Sequence, residues 1–452
     1  MQFDIKLNFI ILTIAVIITS CGKDNLYTPP EPVNSDVTIT DEELLELTQK
    51  ETFKYFWNVA HSNSGAARER YFPEDPYHDA NTVTTGGTGF GLMAILVGIE
   101  RGYVTRSEAV ERIEKILIFL DNADRFHGAW PHWLDGNTGK VKPFSTKDDG
   151  GDLVETAFLA QGLLCVKEYF KNGSETEKLL ALKADELWKG VEWNWYTNDT
   201  NALFWHWSPN YGFDMNLKLN GHNETLITYI LAAASPEYSI SKEVYDAGWA
   251  MNGAIKSTVT QYGFPLVLNH VGASQYGGPL FFAHYSFLGL NPKNLSDQYG
   301  NYWQLNVSHS NINYQYCLEN PKQFKGYGEN CWGLTASYTR NADGSIGYKA
   351  HKPDNDSGVI SPTAAISSIP YTPKESLKAM HYFYKNKDKL FGEAGFYDAF
   401  SPEYDWVAKA YLAIDQGPQI IMIENYRTGL LWSLFMQNDD IKKGLDKLGF
   451  SY

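Results

Sequence analysis

Clusters of basic residues are lacking in this sequence. Its 452 residues include 38 Lys and Arg against 53 Asp and Glu, which gives a formal net charge of −15 at pH 7. Binding of nucleic acid relies on a basic surface that neutralises phosphates. The charge therefore argues against nucleic acid as a partner, and it also disfavours an anionic substrate.

Cysteine is scarce, with four residues in the chain. The sequence contains no CxxC pair, no HExxH and no comparable metal-ligand spacing, so we predict neither a metal site nor a cofactor. Cys165 lies in an apolar helical run and is expected to be a small core residue. Whether Cys317 and Cys331 form a disulfide is left open by the sequence.

Motifs of other enzyme classes are also missing. No GxSxG or Cys/His arrangement supports the hydrolysis of esters. The stretch GGTGFG at residues 86–91 resembles a dinucleotide-binding loop, but no apolar strand precedes it, so we do not expect a nucleotide there.

The N-terminal residues have the pattern of a bacterial lipoprotein precursor. An apolar run at residues 7–18 is too short for a transmembrane span and suits a signal peptide, and the sequence Ile-Thr-Ser-Cys that ends at Cys21 resembles a lipobox. We predict a signal peptide at residues 1–20, a lipidated Cys21 with a flexible tether at 21–38, and one catalytic domain at 39–452. The protein would then be exported and held on a bacterial membrane by its lipid, either facing the periplasm or on the cell surface. The alternative is a simple N-terminal anchor helix.

Helical patterns dominate the remainder of the chain. Capping boxes begin at Thr40 and Thr105, and about a dozen segments have apolar residues at helical spacing, whereas strand signals are few and short. No fixed repeat period indicates a solenoid. We therefore predict an all-α fold, an (α/α)6 barrel of helical hairpins whose long loops form a pocket at one end.

Aromatic residues are abundant, with 13 Trp and 29 Tyr. Several lie in loops together with histidines, amides and carboxylates, a mixture that stacks on sugar rings and hydrogen-bonds their hydroxyl groups. Burial in the core is the alternative role for such side chains. The predicted substrate-binding residues of this kind are Trp130, His132, Trp205, His206, Trp207, Trp332 and Tyr371.

Acidic residues at predicted helix starts are the candidates for chemistry. Asp152 and Glu155 have the spacing of a capping box, and together with Asp148 they could also line one rim of a pocket. Glu224 precedes an apolar helix, a setting that would raise its pKa and keep it protonated for use as a general acid. Asp415 lies in apolar sequence, where an unpaired carboxylate is costly.

Three further acids are candidates for structural roles. Glu424 could serve in the site, or it could pair with Arg427 three residues later on the same helix. Asp398 and Asp405 lie in turn-like sequence and are expected to be structural.

Long motifs from residue 40 onward resemble those of one protein family. They are TGGTGFGLMAILVGIERGYVTR, DDGGDLVETAFLAQGLL, FWHWSPNYGF, NETLITYILAAASP, GGPLFFAHYSF, NCWGLTAS, GVISPTAAISSIPYTPKES and IDQGPQIIMIENYRTGLLW. The sequence resembles the putative glucoamylase-like family of Bacteroidetes lipoproteins, within glycoside hydrolase family 144, the bacterial β-1,2-glucanases.

This resemblance implies an (α/α)6 barrel that hydrolyses β-1,2-glucan with inversion, to sophorose or short sophorooligosaccharides. The family's pocket acids map onto Asp148, Asp152, Glu155, Glu224 and Asp415. Glu224 falls at the position of the general acid, and we assign Asp415 to the base side. Glycosidic cleavage by this route needs one protonated and one ionised carboxyl group, with room for a water molecule.

Two other functions remain open at the level of sequence. A non-catalytic glycan-binding lipoprotein of an uptake system would need the aromatic residues but no pair of acids. A polysaccharide lyase on the same toroid would need cationic groups to neutralise uronic acids, and no such cluster is visible.

Overall fold

Residues 39–452 are described by the computed structural model, so the predicted signal peptide, the predicted lipidation of Cys21 and the predicted tether lie outside the described residues. Residues 40–452 pack as one unit. Among the described helices, none combines the length and the apolar character that a membrane crossing requires.

The α-helices are numbered in chain order. They are α1 (Asp41–Trp57), α2 (Thr85–Glu100), α3 (Arg106–Asn122), α4 (Leu153–Phe170), α5 (Glu175–Lys189), α6 (Leu226–Ala234), α7 (Lys242–Val244), α8 (Tyr302–Glu319), α9 (Pro362–Ser367), α10 (Pro373–Lys385), α11 (Lys387–Leu390), α12 (Ala413–Arg427), α13 (Leu430–Met436) and α14 (Asp439–Leu448).

The strands are short and pair mostly in twos. They are β1 (Arg70–Tyr71), β2 (Thr82–Thr84), β3 (Trp133–Asp135), β4 (Val141–Lys142), β5 (Gly151–Asp152), β6 (His206–Trp207), β7 (Thr260–Gln261), β8 (Phe264–Pro265), β9 (Ala336–Arg340), β10 (Ile346–Ala350), β11 (Phe391–Gly392), β12 (Gly395–Phe396), β13 (Ala399–Ser401), β14 (Trp406–Ala408) and β15 (Tyr411–Leu412). All pairs are antiparallel: β2 with β3, β3 with β4, β1 with β15, β5 with β6, β7 with β8, β9 with β10, β11 with β12, and β13 with β14.

The helices alternate along the chain between an inner and an outer ring. Helices α2, α4, α6, α9 and α12 are buried along most of their length and form the inner ring. Helices α1, α3, α5, α8 and α10 lie outside them, and several of these bury one face only. Because α12 packs against both α2 and α9, the ring closes. The predicted mostly helical toroid of helical hairpins is confirmed.

The fourth hairpin of the ring is irregular. Its outer element is α7 continued by a π turn at Tyr245–Trp249, and its inner element is a pair of 3₁₀ turns, Leu280–Ala283 and Tyr285–Phe287. Between these turns, His284 makes a hydrogen bond of 3.0 Å from Nε2 to the hydroxyl of Ser368, next to α9. This hydrogen bond therefore joins the two 3₁₀ turns to the next inner helix, α9.

Glycines allow α2 and α4 to touch backbone to backbone. A Cβ atom added at Gly162 would lie 2.3 Å from the carbonyl oxygen of Gly89, and one added at Gly89 would lie 2.4 Å from the carbonyl oxygen of Phe158. The sequence GGTGFG thus lies inside helix α2, where its glycines serve close packing.

The packing decides two points that the sequence left open. Cys317 and Cys331 are both buried and free, so the disulfide that the sequence left open is not formed, and Cys165 is a buried free thiol as predicted. Glu424 does not pair with Arg427, because its carboxylate accepts hydrogen bonds from Arg101 at 2.7 and 2.9 Å. Arg427 reaches Glu46 of α1 instead, at 2.8 Å.

We expect Gly162→Ala to lower the free energy of unfolding by about 1–3 kcal/mol, because the new methyl group meets backbone atoms that cannot move aside. The gain of up to about 1 kcal/mol that Ala brings to an open helix position is smaller than this strain. Urea denaturation followed by circular dichroism measures the change. As a control, Glu111→Ala on the exposed face of α3 should change the free energy of unfolding by less than about 0.5 kcal/mol. Equal stability of both variants would contradict the proposed backbone contact.

Candidate active site

The N-terminal ends of several inner helices meet at one end of the barrel. The Glu155 carboxylate in the first turn of α4 accepts a hydrogen bond of 2.7 Å from the backbone N–H of Gly86 in α2. The Thr363 hydroxyl of α9 donates to the carbonyl oxygen of Asp415 in α12 at 2.8 Å. Helix N-termini carry partial positive charge and unpaired N–H groups, so they suit carboxylates.

Asp152 is the most heavily hydrogen-bonded of these acids. Its Oδ1 caps α4 by accepting from the N–H groups of Val154 and Glu155 at 3.0 and 2.9 Å. Its Oδ2 lies 3.0 Å from Nδ1 of His132 and accepts from the Trp205 indole at 3.3 Å. The predicted N-cap is thus present. The Glu155 side chain does not complete a capping box, because it bonds to α2 instead.

Two histidines bridge the acids at the start of α4. Nε2 of His206 lies 3.2 Å from Asp148 and 3.4 Å from Asp152. Burial alone would lower the pKa of both histidines, but for His132 the charge of Glu155 and the bond to Asp152 raise the pKa to about 10. For His206 the bonds to Asp148 and Asp152 raise the pKa to about 9. Both rings are therefore imidazolium ions at neutral pH.

The same histidines keep Asp152 ionised. Burial would raise the pKa of this carboxyl group, but the hydrogen bonds from His132 and His206 lower it well below its usual range. Ligand atoms of His132, Asp148 and Asp152 lie within 4.8 Å of one another, a spacing that could hold a metal ion. The proton that His132 holds towards Asp152 competes with a metal for that position.

Glu155 and Glu224 form the protonatable part of the site. Burial raises the pKa of Glu155 to about 7 against the opposing charge of His132. Burial, with the charges of Glu155 and Asp152, raises the pKa of Glu224 to about 7. Glu224 lies in the turn before α6 and its residue is partly exposed, so a substrate can reach it. Its raised pKa is the one that the apolar helix after it predicted.

Asp415 and Asp398 form a second acidic group at the start of α12. Both residues are buried, and their side chains are in hydrogen-bonding contact with each other. Asp398, which directly precedes β13, also accepts a hydrogen bond of 2.7 Å from the backbone N–H of Tyr338. The structural role predicted for Asp398 from its turn-like sequence is therefore incomplete, because the residue contacts a candidate site acid.

Glu69 is another site acid that the sequence did not indicate. Its carboxylate lies 3.3 Å from the Arg70 guanidinium, and its side chain is mostly buried. Burial raises the pKa of Glu69 in spite of the Arg70 charge. The residue sits at a short strand in the connection before α2, and nothing in its local sequence distinguishes it from a surface acid.

Tyr285 shows that the two acidic groups face a common centre. Burial, with the charges of Asp415, Glu224 and Glu155, raises the pKa of its phenol well above the usual value. The phenol oxygen is buried and has no hydrogen-bond partner among the described residues. The protonatable Glu224 and the buried Asp415 thus both act on one point of the inner ring.

Aromatic rings surround the acids at the α4 side. Trp205 and Trp207 are partly exposed, and the Trp205 ring lies parallel to that of His206 with centroids 5.8 Å apart. Phe144, which is half exposed, stacks on His132 with centroids 4.3 Å apart. Phe144 was not among the predicted residues, although its position in a loop next to the acids was a usable signal.

Three of the aromatic residues that were predicted to bind substrate are instead buried, and each donates a hydrogen bond to a backbone carbonyl group. The indole N–H of Trp130 donates to the Leu120 carbonyl at 3.0 Å, and that of Trp332 donates to the Glu375 carbonyl at 3.2 Å. The Tyr371 hydroxyl donates to the Ala283 carbonyl at 3.1 Å. Neither indole has any exposed surface, and Tyr371 is 5% exposed. These rings have no free face for a sugar, so the prediction of direct contact is corrected.

Comparison with known proteins identifies the family of this chain. The model of the family described as "Putative glucoamylase" matches residues 216–439. An endo-β-1,2-glucanase from Chitinophaga pinensis, solved with sophorotriose and glucose, is 55% identical over 91% of this chain and 99% of that one, with a TM-score of 0.89. The chain belongs to this family.

Other members of the family are equally similar in structure. A putative glucoamylase from Bacteroides fragilis is 55% identical, covers 92% of this chain and 99% of that one, and has a TM-score of 0.89. An exo β-1,2-glucooligosaccharide sophorohydrolase from Parabacteroides distasonis is 46% identical over 433 residues, which are 91% of this chain. The chain spans 58% of the length of that relative.

We expect the ion pair between His132 and Asp152 to stabilise the fold below alkaline pH. The pKa of His132 is about 10 in the folded protein and about 6.5 in an unfolded chain. Its contribution is therefore complete below about pH 6.5 and is lost as the pH rises through the folded pKa. Between pH 7 and 9.5, the wild type should lose more free energy of unfolding than His132→Gln does, as urea denaturation at both pH values measures.

The control for this experiment is His381→Gln. His381 also pairs with an aspartate, Asp41 at 2.7 Å, but this pair is exposed. Its removal should leave the pH dependence of the wild type unchanged. A His132→Gln variant with the same pH dependence as the wild type would contradict the assignment of a charged His132.

Proposed function

We propose that this protein is a glycoside hydrolase that cleaves β-1,2-glucan by an inverting acid/base mechanism and releases sophorose or short sophorooligosaccharides. The observation that carries the proposal is that Glu224 and Asp415 both act on Tyr285, each with a raised pKa. The activities named for the Chitinophaga and Parabacteroides relatives support the linkage.

Glu224 is the general acid in this proposal. A pKa of about 7 leaves roughly half of its carboxyl groups protonated at neutral pH, which suits proton donation to a leaving glycosidic oxygen. Its partial exposure allows contact with a bound sugar. After cleavage, the negative charge that remains on Glu224 is tolerated because the imidazolium rings of His132 and His206 lie in the same site.

Asp415 takes the base side, where it activates the attacking water. Among the neighbouring charges, that of Asp415 acts most strongly on Tyr285, whose pKa Glu224 also raises, and this supports a position for Asp415 close to Glu224. An inverting reaction needs a water molecule between the base and the anomeric carbon, so the two carboxyl groups must lie on opposite sides of the sugar.

Asp148, Asp152 and the two histidines organise the substrate site rather than transfer protons. Asp152 is buried, stays ionised and is held on both oxygens, so it fixes the rings of His132 and His206 that line the site. The indole ring of Trp205 provides an apolar face next to it. This arrangement positions a sugar without itself changing protonation.

We expect the purified protein to release reducing sugar from linear β-1,2-glucan and Glu224→Gln to lower the turnover number at least about a hundredfold, because the proton donor is lost. A product time course on a long glucan separates internal cleavage from release of sophorose at a chain end. Glu237→Gln, an exposed glutamate after α6, is the matched control and should keep wild-type activity. Activity on starch but not on β-1,2-glucan would contradict the proposed linkage, and full binding with no hydrolysis by the wild type would favour a glycan-binding protein.

We also propose that the protein is an exported lipoprotein anchored through Cys21, on the strength of the lipobox and the apolar run before it. In a Bacteroidetes host, the full chain should appear in the membrane fraction with a lipid on Cys21 that mass spectrometry detects. Cys21→Ala should lose the lipid and leave this fraction, whereas the nearby control Asn25→Ala should not. A Cys21→Ala variant that stays fully membrane-bound would contradict the proposal.

A further inference from the structure

Asp398 and Asp415 are an unusual pair because no cationic side chain among the described residues neutralises them. Asp398 is 4% exposed and Asp415 is 2% exposed. Within residues 39–452, neither carboxyl group forms an ion pair with Lys, Arg or His, although the two groups are in hydrogen-bonding contact with each other. Two ionised carboxylates cannot stay this close in a buried position, because their repulsion and their desolvation both oppose ionisation.

The hydrogen bonds around the pair leave one donor missing. Oδ2 of Asp398 accepts from the backbone N–H of Tyr338 at 2.7 Å. Oδ1 of Asp398 and Oδ2 of Asp415 are both buried, and neither receives a hydrogen bond from any described residue. A proton held between the two carboxyl groups would supply the donor that both oxygens lack.

We propose that Asp398 and Asp415 share one proton and act together as the base, with Asp398 as a positioning residue that carries the negative charge of the pair. This inference rests on the proposed function, because it explains how Asp415 can serve as a base while it holds a proton. Asp398 keeps the charge because it has the fixed N–H donor of Tyr338.

The proton transfers balance in this scheme. The attacking water loses a proton to the free oxygen of Asp415, and the proton that Asp415 already holds moves across the shared hydrogen bond to Asp398. The water oxygen forms a bond to the anomeric carbon while the glycosidic bond breaks, and the leaving oxygen takes the proton of Glu224. The pair has then gained one proton and Glu224 has lost one, and exchange with solvent restores both.

Other charged and titratable groups face the pair. Burial and the nearby Glu69 charge raise the pKa of Asp415, with the Asp398 charge acting in the same direction. Tyr338 and Tyr348 of the β9–β10 hairpin and Tyr285 of the inner ring have phenols that sense these carboxyl groups and stay neutral near pH 7. Arg70, whose charge acts on Tyr338, is paired with Glu69.

The test is the variant Asp398→Asn in the full chain. The amide oxygen of Asn can keep the hydrogen bond from the Tyr338 N–H, and its NH₂ group can donate to Asp415. The variant should therefore fold as the wild type does, although its amide and the Asp415 carboxyl group no longer share a proton. Burial raises the pKa of Asp398 in the wild-type pair to about 6. We expect the carboxyl proton of the pair to be lost at least one pH unit lower in the variant, because no Asp398 charge then opposes the ionisation of Asp415. The turnover number should fall about tenfold, because a single carboxylate replaces the pair as the proton acceptor.

A second measurement does not depend on glucan hydrolysis. The infrared difference spectrum of the wild type minus Asp398→Asn, recorded as a function of pH, should contain at neutral pH the C=O absorption of one buried protonated carboxyl group, because Asp415 is ionised in the variant. The protonated fractions of Glu155 and Glu224 are present in both proteins and cancel in the difference. If the protein does not hydrolyse β-1,2-glucan, the proposed function fails, and the infrared result still decides whether the pair shares a proton.

Asp405→Asn is the matched control, an exposed aspartate seven residues along the same connection. It should keep both the wild-type turnover number and the infrared absorption with its wild-type pH dependence. If Asp398→Asn is folded by circular dichroism and retains the absorption, or loses it at the same pH as the wild type, Asp398 is merely structural and the proposal is overturned.

Discussion

The cost of burying several carboxyl groups in one place is the constraint on which the rest of this structure depends. Asp152, Asp398 and Asp415 are buried, so each charge must be neutralised or must take up a proton. On the α4 side, imidazolium rings neutralise the acids and keep Asp152 ionised. On the α12 side, no Lys, Arg or His among residues 39–452 forms an ion pair with Asp398 or Asp415, and Asp415 keeps a proton. One shared location therefore holds acids in opposite protonation states.

General acid/base chemistry requires a protonated group and an ionised group in the same site. Glu224 lies between these two environments and has a pKa of about 7, a value set by burial and by the charges of Glu155 and Asp152. Were the histidines absent, these neighbours would themselves take up protons and their effect on Glu224 would weaken. The binding residues and the proton donor are thus electrostatically linked, although they come from helices far apart in the chain.

The close packing of the inner helices fixes the positions of these acids. Glycines let α2 and α4 approach until their backbones touch, so the N–H group of Gly86 reaches the Glu155 carboxylate. Buried aromatic residues fix the connections between rings, since the carbonyl oxygen of Trp130 receives the N–H of Asp152 at 2.9 Å. Trp130 therefore contributes to the site through its backbone and its packing, although its ring has no free face for a sugar.

The sequence by itself determined the helical class, the capping of α4 by Asp152 and the candidacy of Glu224, because each of these follows from residues close together in the chain. Only the tertiary structure decided that Asp398 meets Asp415, that Glu69 joins the acids, and that Trp332 is covered. The spacing of hydrophobic residues specifies which face of a helix is buried. Which acids lie close enough to affect one another depends on contacts between different segments of the chain, and these contacts set the pKa values on which the proposed chemistry depends.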